Sequence, residues 1–198
     1  DVYDQSVPPA EATRLLDRFL TDVAALGVVV LVISGNHDSG ERLAFGSKIL
    51  SRQGVYIAGA AECPLPQVRL TVGDVPVCFT LLPFVRAAHV RRLFPDRVIA
   101  STEDAVRALL DATPLPNGYR QVLLAHQFVA GGSTDPEFSD SERLQIGGTD
   151  LVDWRLFQTF DYVALGHLHR PQSVGCDQIR YAGSLLKYSF SECSHEKS

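Results

Sequence analysis

Three short apolar runs, each stopped by a residue able to bind something, constrain the chain more than any other feature. Val28 to Ile33 leads into Gly35-Asn36-His37-Asp38, Val122 to Ala125 stops at His126, and Tyr162 to Leu165 stops at Gly166-His167-Leu168-His169. Runs of this length and β-branched content read as strands buried on both faces, and helices must cover such strands. Successive side chains on a strand alternate in direction. His167 and His169 therefore share one face if the strand continues, or lie around one turn if it has ended, and either way two imidazoles can converge. Strand ends that deliver imidazole, amide and carboxylate groups together are how a metal site is built. That donor mixture suits manganese, iron or zinc better than calcium or magnesium.

The segments between these runs support a layered α/β chain. Leu15, Leu16, Phe19, Leu20, Val23 and Leu26 follow a helical period entered through Pro8-Pro9 and closed by Gly27. Ser39 can cap a second helix from Glu41 to Arg52, which Gly54 ends before a strand at Val55 to Ile57. Val68 to Val72 and Val75 to Leu82 flank Gly73-Asp74 as a hairpin. A polar helix is expected over Glu103 to Asp111, a short helix over Leu151 to Phe157 and a last strand over Ile179 to Ala182. Gly131 to Gly148 reads as a long polar loop, a kind of segment that commonly carries function. Alternating helices and strands with one antiparallel hairpin predict a mixed α/β sandwich, not an all-parallel sheet.

Composition narrows the function classes. At 198 residues with 45% hydrophobic content, one domain over 1–198 is expected. No apolar run approaches the ~20 residues needed to span a bilayer, and no secretory signal pattern opens the chain, so a soluble, cytoplasmic protein is expected. Cys63, Cys78, Cys176 and Cys193 form no C-x-x-C pair, which argues against a zinc knuckle or redox motif. The net charge of −5 argues against a chain that grips nucleic acid by basic surface alone. Bound cations or a partner would have to supply the missing positive charge. Arg86, Arg91, Arg92 and Arg97 with His89 form the one basic cluster, a solvated face or a backbone contact. Arg170, beside the histidine pair, could meet phosphate or a surface carboxylate.

Read together, GNHDSGERLAF, FSDSERLQIGG, FDYVALGHLHRPQ and YAGSLLKYSFSE resemble the calcineurin-like metallophosphoesterase superfamily, and the resemblance runs over most of the chain. It implies an αββα sandwich of two mixed sheets, incomplete here at the N-terminus because an upstream Asp-x-His pair is not in this sequence. It implies two divalent metal ions, manganese by preference. Asp1 resembles the bridging carboxylate; Asn36, His126 and His167 resemble ligands of one metal, and His169 of the other. His37 resembles the catalytic histidine that meets the leaving oxygen, with Asp4 as the carboxylate that orients it. The activity implied is hydrolysis of DNA phosphodiesters by in-line attack of metal-activated water. The partners implied are DNA and an ATPase subunit, with a homodimer inside a heterotetramer. Hydrolysis of small phosphate esters or nucleotides, or a scaffold without catalysis, are the competing readings, because metal geometry alone does not select the leaving group.

Overall fold

The computed structural model describes residues 1–131, 136–137 and 150–197. The long polar loop and the FSDSERLQIGG stretch fall almost wholly outside the described residues. Helix α1 spans Ala10–Ala25, entered through Pro9 and ended at Gly27, whose φ of 70° is open to glycine at little cost. Strand β1 (Val30–Ile33) pairs in parallel with β2 (Val55–Ala58). Between them lie two four-residue helices, α2 (Gly40–Leu43) and α3 (Ser47–Leu50), and a 3-10 turn at Ser51–Gln53. The single helix expected there is broken at Gly46, which adopts φ 76°. Ser39 occupies the cap position without a side-chain cap bond.

The second half builds a six-stranded mixed sheet. Strands β3 (Gln67–Val72) and β4 (Val75–Leu82) form the expected hairpin, turning at Gly73 with φ 61°. Helix α4 (Ala87–Val90) and helix α5 (Thr102–Asp111) follow, then β5 (Arg120–His126), β6 (Phe128–Ala130), β7 (Leu151–Asp153), β8 (Tyr162–Gly166), β9 (Gln172–Val174) and β10 (Cys176–Tyr181). The sheet order is β3-β4-β5-β8-β10-β9, with parallel pairing from β4 to β10 and antiparallel pairing at both edges. Strands β6 and β7 form a separate parallel pair. The segment read as a short helix from Leu151 is strand first and becomes a 3-10 turn only at Trp154–Phe157.

Two clusters hold the layers together. Ala58, Val68 and Leu81 with Leu31, Ile33, Tyr56, Leu70, Phe79 and Leu124 join the β1–β2 pair to one face of the large sheet. The opposite face packs on α5, whose Ala105, Val106, Ala108 and Leu109 are buried against Leu123, Val163 and Ile179 in the main core. Helix α5 is thus amphipathic, not polar. Ser101 caps it, accepting from Asp104 N–H at 3.0 Å while Asp104 accepts from Ser101 N–H at 2.9 Å. The mixed α/β class agrees with the expectation. The first apolar run departs from it: Val28 and Val29 are 50% and 40% exposed and only Val30–Ile33 is strand, because pairing with β2 begins only at Val30↔Val55.

Candidate active site

Sheet order decides where the site lies. Strands β4, β5, β8 and β10 run parallel, so their carboxyl ends share one edge. His126, the last residue of β5, sits in register with Gly166, the last residue of β8. Beyond β1, Ser34 donates its N–H to Ala58 O at 3.1 Å and accepts from Phe84 N–H at 2.9 Å. Those two bonds carry the Gly35–Asp38 loop to the same edge. Such crevices outside parallel strand ends are where α/β folds bind ligands.

Asn36 is the meeting point. Its Oδ1 lies 3.1 Å from His126 Nε2 and 3.0 Å from His167 Nδ1, and the two imidazole rings are 5.3 Å apart. Burial holds the His126 imidazole well below its ordinary pKa. Burial, followed by the neighbouring His126, brings His167 to about 3. Both rings are therefore neutral near pH 7, the form that binds metals. His167 reaches this position with φ 93°, the only non-glycine residue at positive φ among the described residues. A strained backbone of this kind is typical of functional sites.

Asp1 closes the cluster from the other side. Its Oδ1 accepts the His37 N–H at 2.9 Å and its Oδ2 lies 3.4 Å from His126 Nε2. Gly35 packs so closely that a Cβ there would collide with the Asp1 carboxylate, and glycine at this position is what admits it. The Asp38 carboxylate ties the opening segment to the loop, accepting from Val2 N–H and Tyr3 N–H at 2.9 Å each and from Gly35 N–H at 2.8 Å. Sequence reasoning gave Asp38 no role. Its only signal was the local pattern Gly-Asn-His-Asp, in which an Asx side chain can bind its own turn.

His37 Nδ1 is 2.8 Å from the Asp4 main-chain carbonyl and 3.9 Å from its carboxylate Oδ1. The short contact is made by the backbone and not by the side chain, which is 88% exposed. The histidine pair does not act as one unit. The chain turns at His167, so that His167 faces Asn36 while His169 Nδ1 meets Glu192 Oε1 at 2.8 Å. Glu192 also accepts from Lys197 Nζ at 2.8 Å. Its burial would raise the carboxyl pKa, but the bonds from His169 and Lys197 outweigh that and hold it at about 2. Nothing local in the sequence marks Glu192 or Lys197 as part of a site, because both stand more than twenty residues beyond the motif they serve.

Five of the nominated residues, Asp1, Asn36, His37, His126 and His167, thus gather at one edge, with His169 beside them and Asp4 in contact through its main chain. The donor chemistry of Asp1, Asn36, His126 and His167 fits a divalent transition metal: one carboxylate, one amide oxygen and two neutral imidazoles. The imidazole nitrogens are engaged with Asn36 and Asp1, and among the described residues no group of three or more His, Cys, Asp or Glu side chains is already arranged to hold a metal ion. Arg86 lies 3.6 Å from Asp150 and over the Phe84 ring, and Arg170 pairs with Glu137. A cavity of about 460 Å³ between α1 and the β1–β2 pair is lined by Leu16, Leu20, Val32, Leu43 and Ile57 and contains no imidazole. No helix among the described residues is long and apolar enough to cross a membrane.

No protein-family model matches the sequence. Compared with known proteins, the whole chain is similar to SbcD, the D component of the nuclease SbcCD, of Staphylococcus epidermidis, at 38% identity over 201 residues. The aligned region is 100% of this chain and 52% of that relative, so the chain spans about half the relative's length. With the six-stranded mixed sheet and the edge at which Asn36, His126 and His167 meet, the similarity over the whole chain relates this protein to SbcD across about half of that relative's length.

Proposed function

We propose that this chain carries the phosphodiesterase site of a DNA nuclease subunit that works with an SbcC-type ATPase in DNA repair and recombination. The proposed action is exonuclease cleavage of double-stranded DNA and endonuclease cleavage of single strands or hairpins. The observation that carries the reading is the placement of one amide oxygen, Asn36 Oδ1, between the neutral imidazoles of His126 and His167. Similarity to an SbcCD component over the whole chain supports the choice of substrate.

In this reading Asp1, Asn36, His126, His167 and His169 hold two divalent ions, manganese by preference. When bound, such ions neutralise phosphate charge and lower the pKa of water. His37 acts next to them. Its Nδ1–H donates to the Asp4 carbonyl, which orients the ring, and in the doubly protonated imidazolium form Nε2 passes its own proton to the leaving oxygen. The net charge of −5 assigns much of the DNA grip to the cations and to the ATPase partner.

The test is cleavage of linear duplex DNA by the protein with its ATPase partner and Mn²⁺. The expected result is metal-dependent shortening of the duplex. Hydrolysis of small monoesters without DNA cleavage would replace the nuclease reading with a small-substrate phosphoesterase.

A further inference from the structure

Past β10 the chain folds back beneath His169. Ser184 N–H donates to His169 O at 3.1 Å. Lys197 Nζ donates to the same carbonyl at 2.9 Å, to Ser184 Oγ at 2.8 Å and to Glu192 Oε2 at 2.8 Å. Glu192, 0% exposed, places its other oxygen 2.8 Å from His169 Nδ1. A buried carboxylate survives only when both oxygens are compensated, and here one is met by an imidazole and the other by an ammonium.

Leu185, Leu186, Tyr188 and Phe190 are 85%, 65%, 65% and 101% exposed, while Glu192 and the Lys197 ammonium are turned inward. Along with His195, this segment buries a pair of charges that both end on His169, one on its ring and one on its main chain.

We propose that Glu192 and Lys197 are positioning residues for His169: Glu192 keeps the ring proton on Nδ1, Lys197 holds the backbone carbonyl, and the ring is thereby presented in one orientation with its lone pair on Nε2. An ionised carboxylate can only accept, so the nitrogen facing it must carry the hydrogen. Carboxylate partners of this kind fix the tautomer of metal-binding histidines and raise their basicity. The importance of this pair for DNA cleavage rests on the function proposed above, whereas the tautomer it imposes does not.

The experiment is long-range ¹H–¹⁵N correlation of ring-labelled protein without metal, followed upward in pH until each ring signal reports a single N–H. His169 is expected to show a protonated Nδ1 and an unprotonated Nε2. Finding the proton on Nε2 in the wild-type protein overturns the proposal, with no variant needed. Replacing both charges at once, Glu192→Leu with Lys197→Met, strands neither partner and should shift His169 toward the Nε2-protonated form; an unchanged tautomer in a folded double variant also overturns it. In parallel, calorimetric titration with Mn²⁺ alone should give binding about 10–100-fold weaker in the double variant. A wild-type protein that binds no Mn²⁺ yet shows the Nδ1-protonated ring would remove the metal reading and leave the positioning pair standing. Equal Mn²⁺ affinity in the two proteins would overturn the positioning role toward metal.

Discussion

Asp38 accepts the Tyr3 N–H at 2.9 Å, joining two residues 35 apart in sequence, and the same carboxylate accepts from Val2 and Gly35. Asp1 and Asp4 are placed by this knot and not by any element of secondary structure. Asp38→Ala should cost about 3 kcal/mol in urea unfolding, since hydrogen bonds to an ionised group are worth more than neutral ones. Amide exchange at Val2 and Tyr3 should accelerate far more than exchange in β5. Unchanged protection at those two amides would show that the opening segment is held some other way.

Tyr181 holds the turn that follows His126. Its hydroxyl accepts from Val129 N–H at 2.6 Å and lies 3.1 and 3.0 Å from the carbonyls of Gln127 and Val129. Tyr181→Phe removes the acceptor of the Val129 N–H and the hydrogen offered to these carbonyls, at a cost of about 2 kcal/mol in chemical denaturation. A loss near zero would mean that the turn repacks around the missing oxygen.

Acid should weaken the metal-free protein through the histidines before the carboxylates. His167 titrates at about 3 when folded and near 6.5 when unfolded, so the unfolded chain binds one more proton across that window. Stability is then fully present above about pH 6.5 and falls as pH drops toward 3, at up to ~1.4 kcal/mol per pH unit for this one group. The buried His126 adds a loss of the same sign. Glu192, held at about 2 against 4.5 unfolded, joins only below about pH 4.5. Urea unfolding in EDTA from about pH 4 to 5.5 should give a slope nearly one proton shallower for His167→Asn than for wild type. Equal slopes would contradict a neutral His167 in the fold.

Much of this architecture is legible in the sequence wherever burial on both faces sets the pattern, as in β5 and β8, whose apolar runs end at His126 and Gly166. Legibility fails at the start of β1: Val28 and Val29 look like interior strand, yet they lie outside it because pairing with β2 begins only at Val30↔Val55, just past the turn at Gly54. The site follows the same division. Asn36, His126 and His167 are found by their places after strands. The divergence of His167 and His169 is not, because it depends on a backbone at φ 93° that no residue type announces. Glu192 is invisible for another reason: its partner lies 23 residues away, and nothing local marks a glutamate as destined for the interior.

Substitutions at two histidines should separate proton transfer from metal retention. His37 touches Asp4 and Asp1 through bonds that do not involve Asn36, whereas His167 shares the Asn36 oxygen with His126. His37→Ala should abolish DNA cleavage while Mn²⁺ bound per chain stays nearly constant, and His167→Ala should lose both. Metal analysis of the purified variants beside a cleavage assay decides the matter, and equal metal loss would merge the two roles.

Gly166 leaves His126 no spare room, since a Cβ there would lie 2.7 Å from His126 Nδ1. Gly166→Ala should push the ring aside, cost about 1–3 kcal/mol and weaken Mn²⁺ binding. Retention of wild-type affinity would show that His126 is not a ligand.

The pairing of His126 with Gly166 across adjacent parallel strands has one more consequence. Neighbouring ladder bonds act as a ruler between His126 and the His167 that follows Gly166, so neither can slide along its strand without dragging the other. Insertions at the opposite rim, in the turns that enter β5 and β8, should leave the spacing of these donors intact, and lineages could vary those turns freely while the reactive rim kept its dimensions.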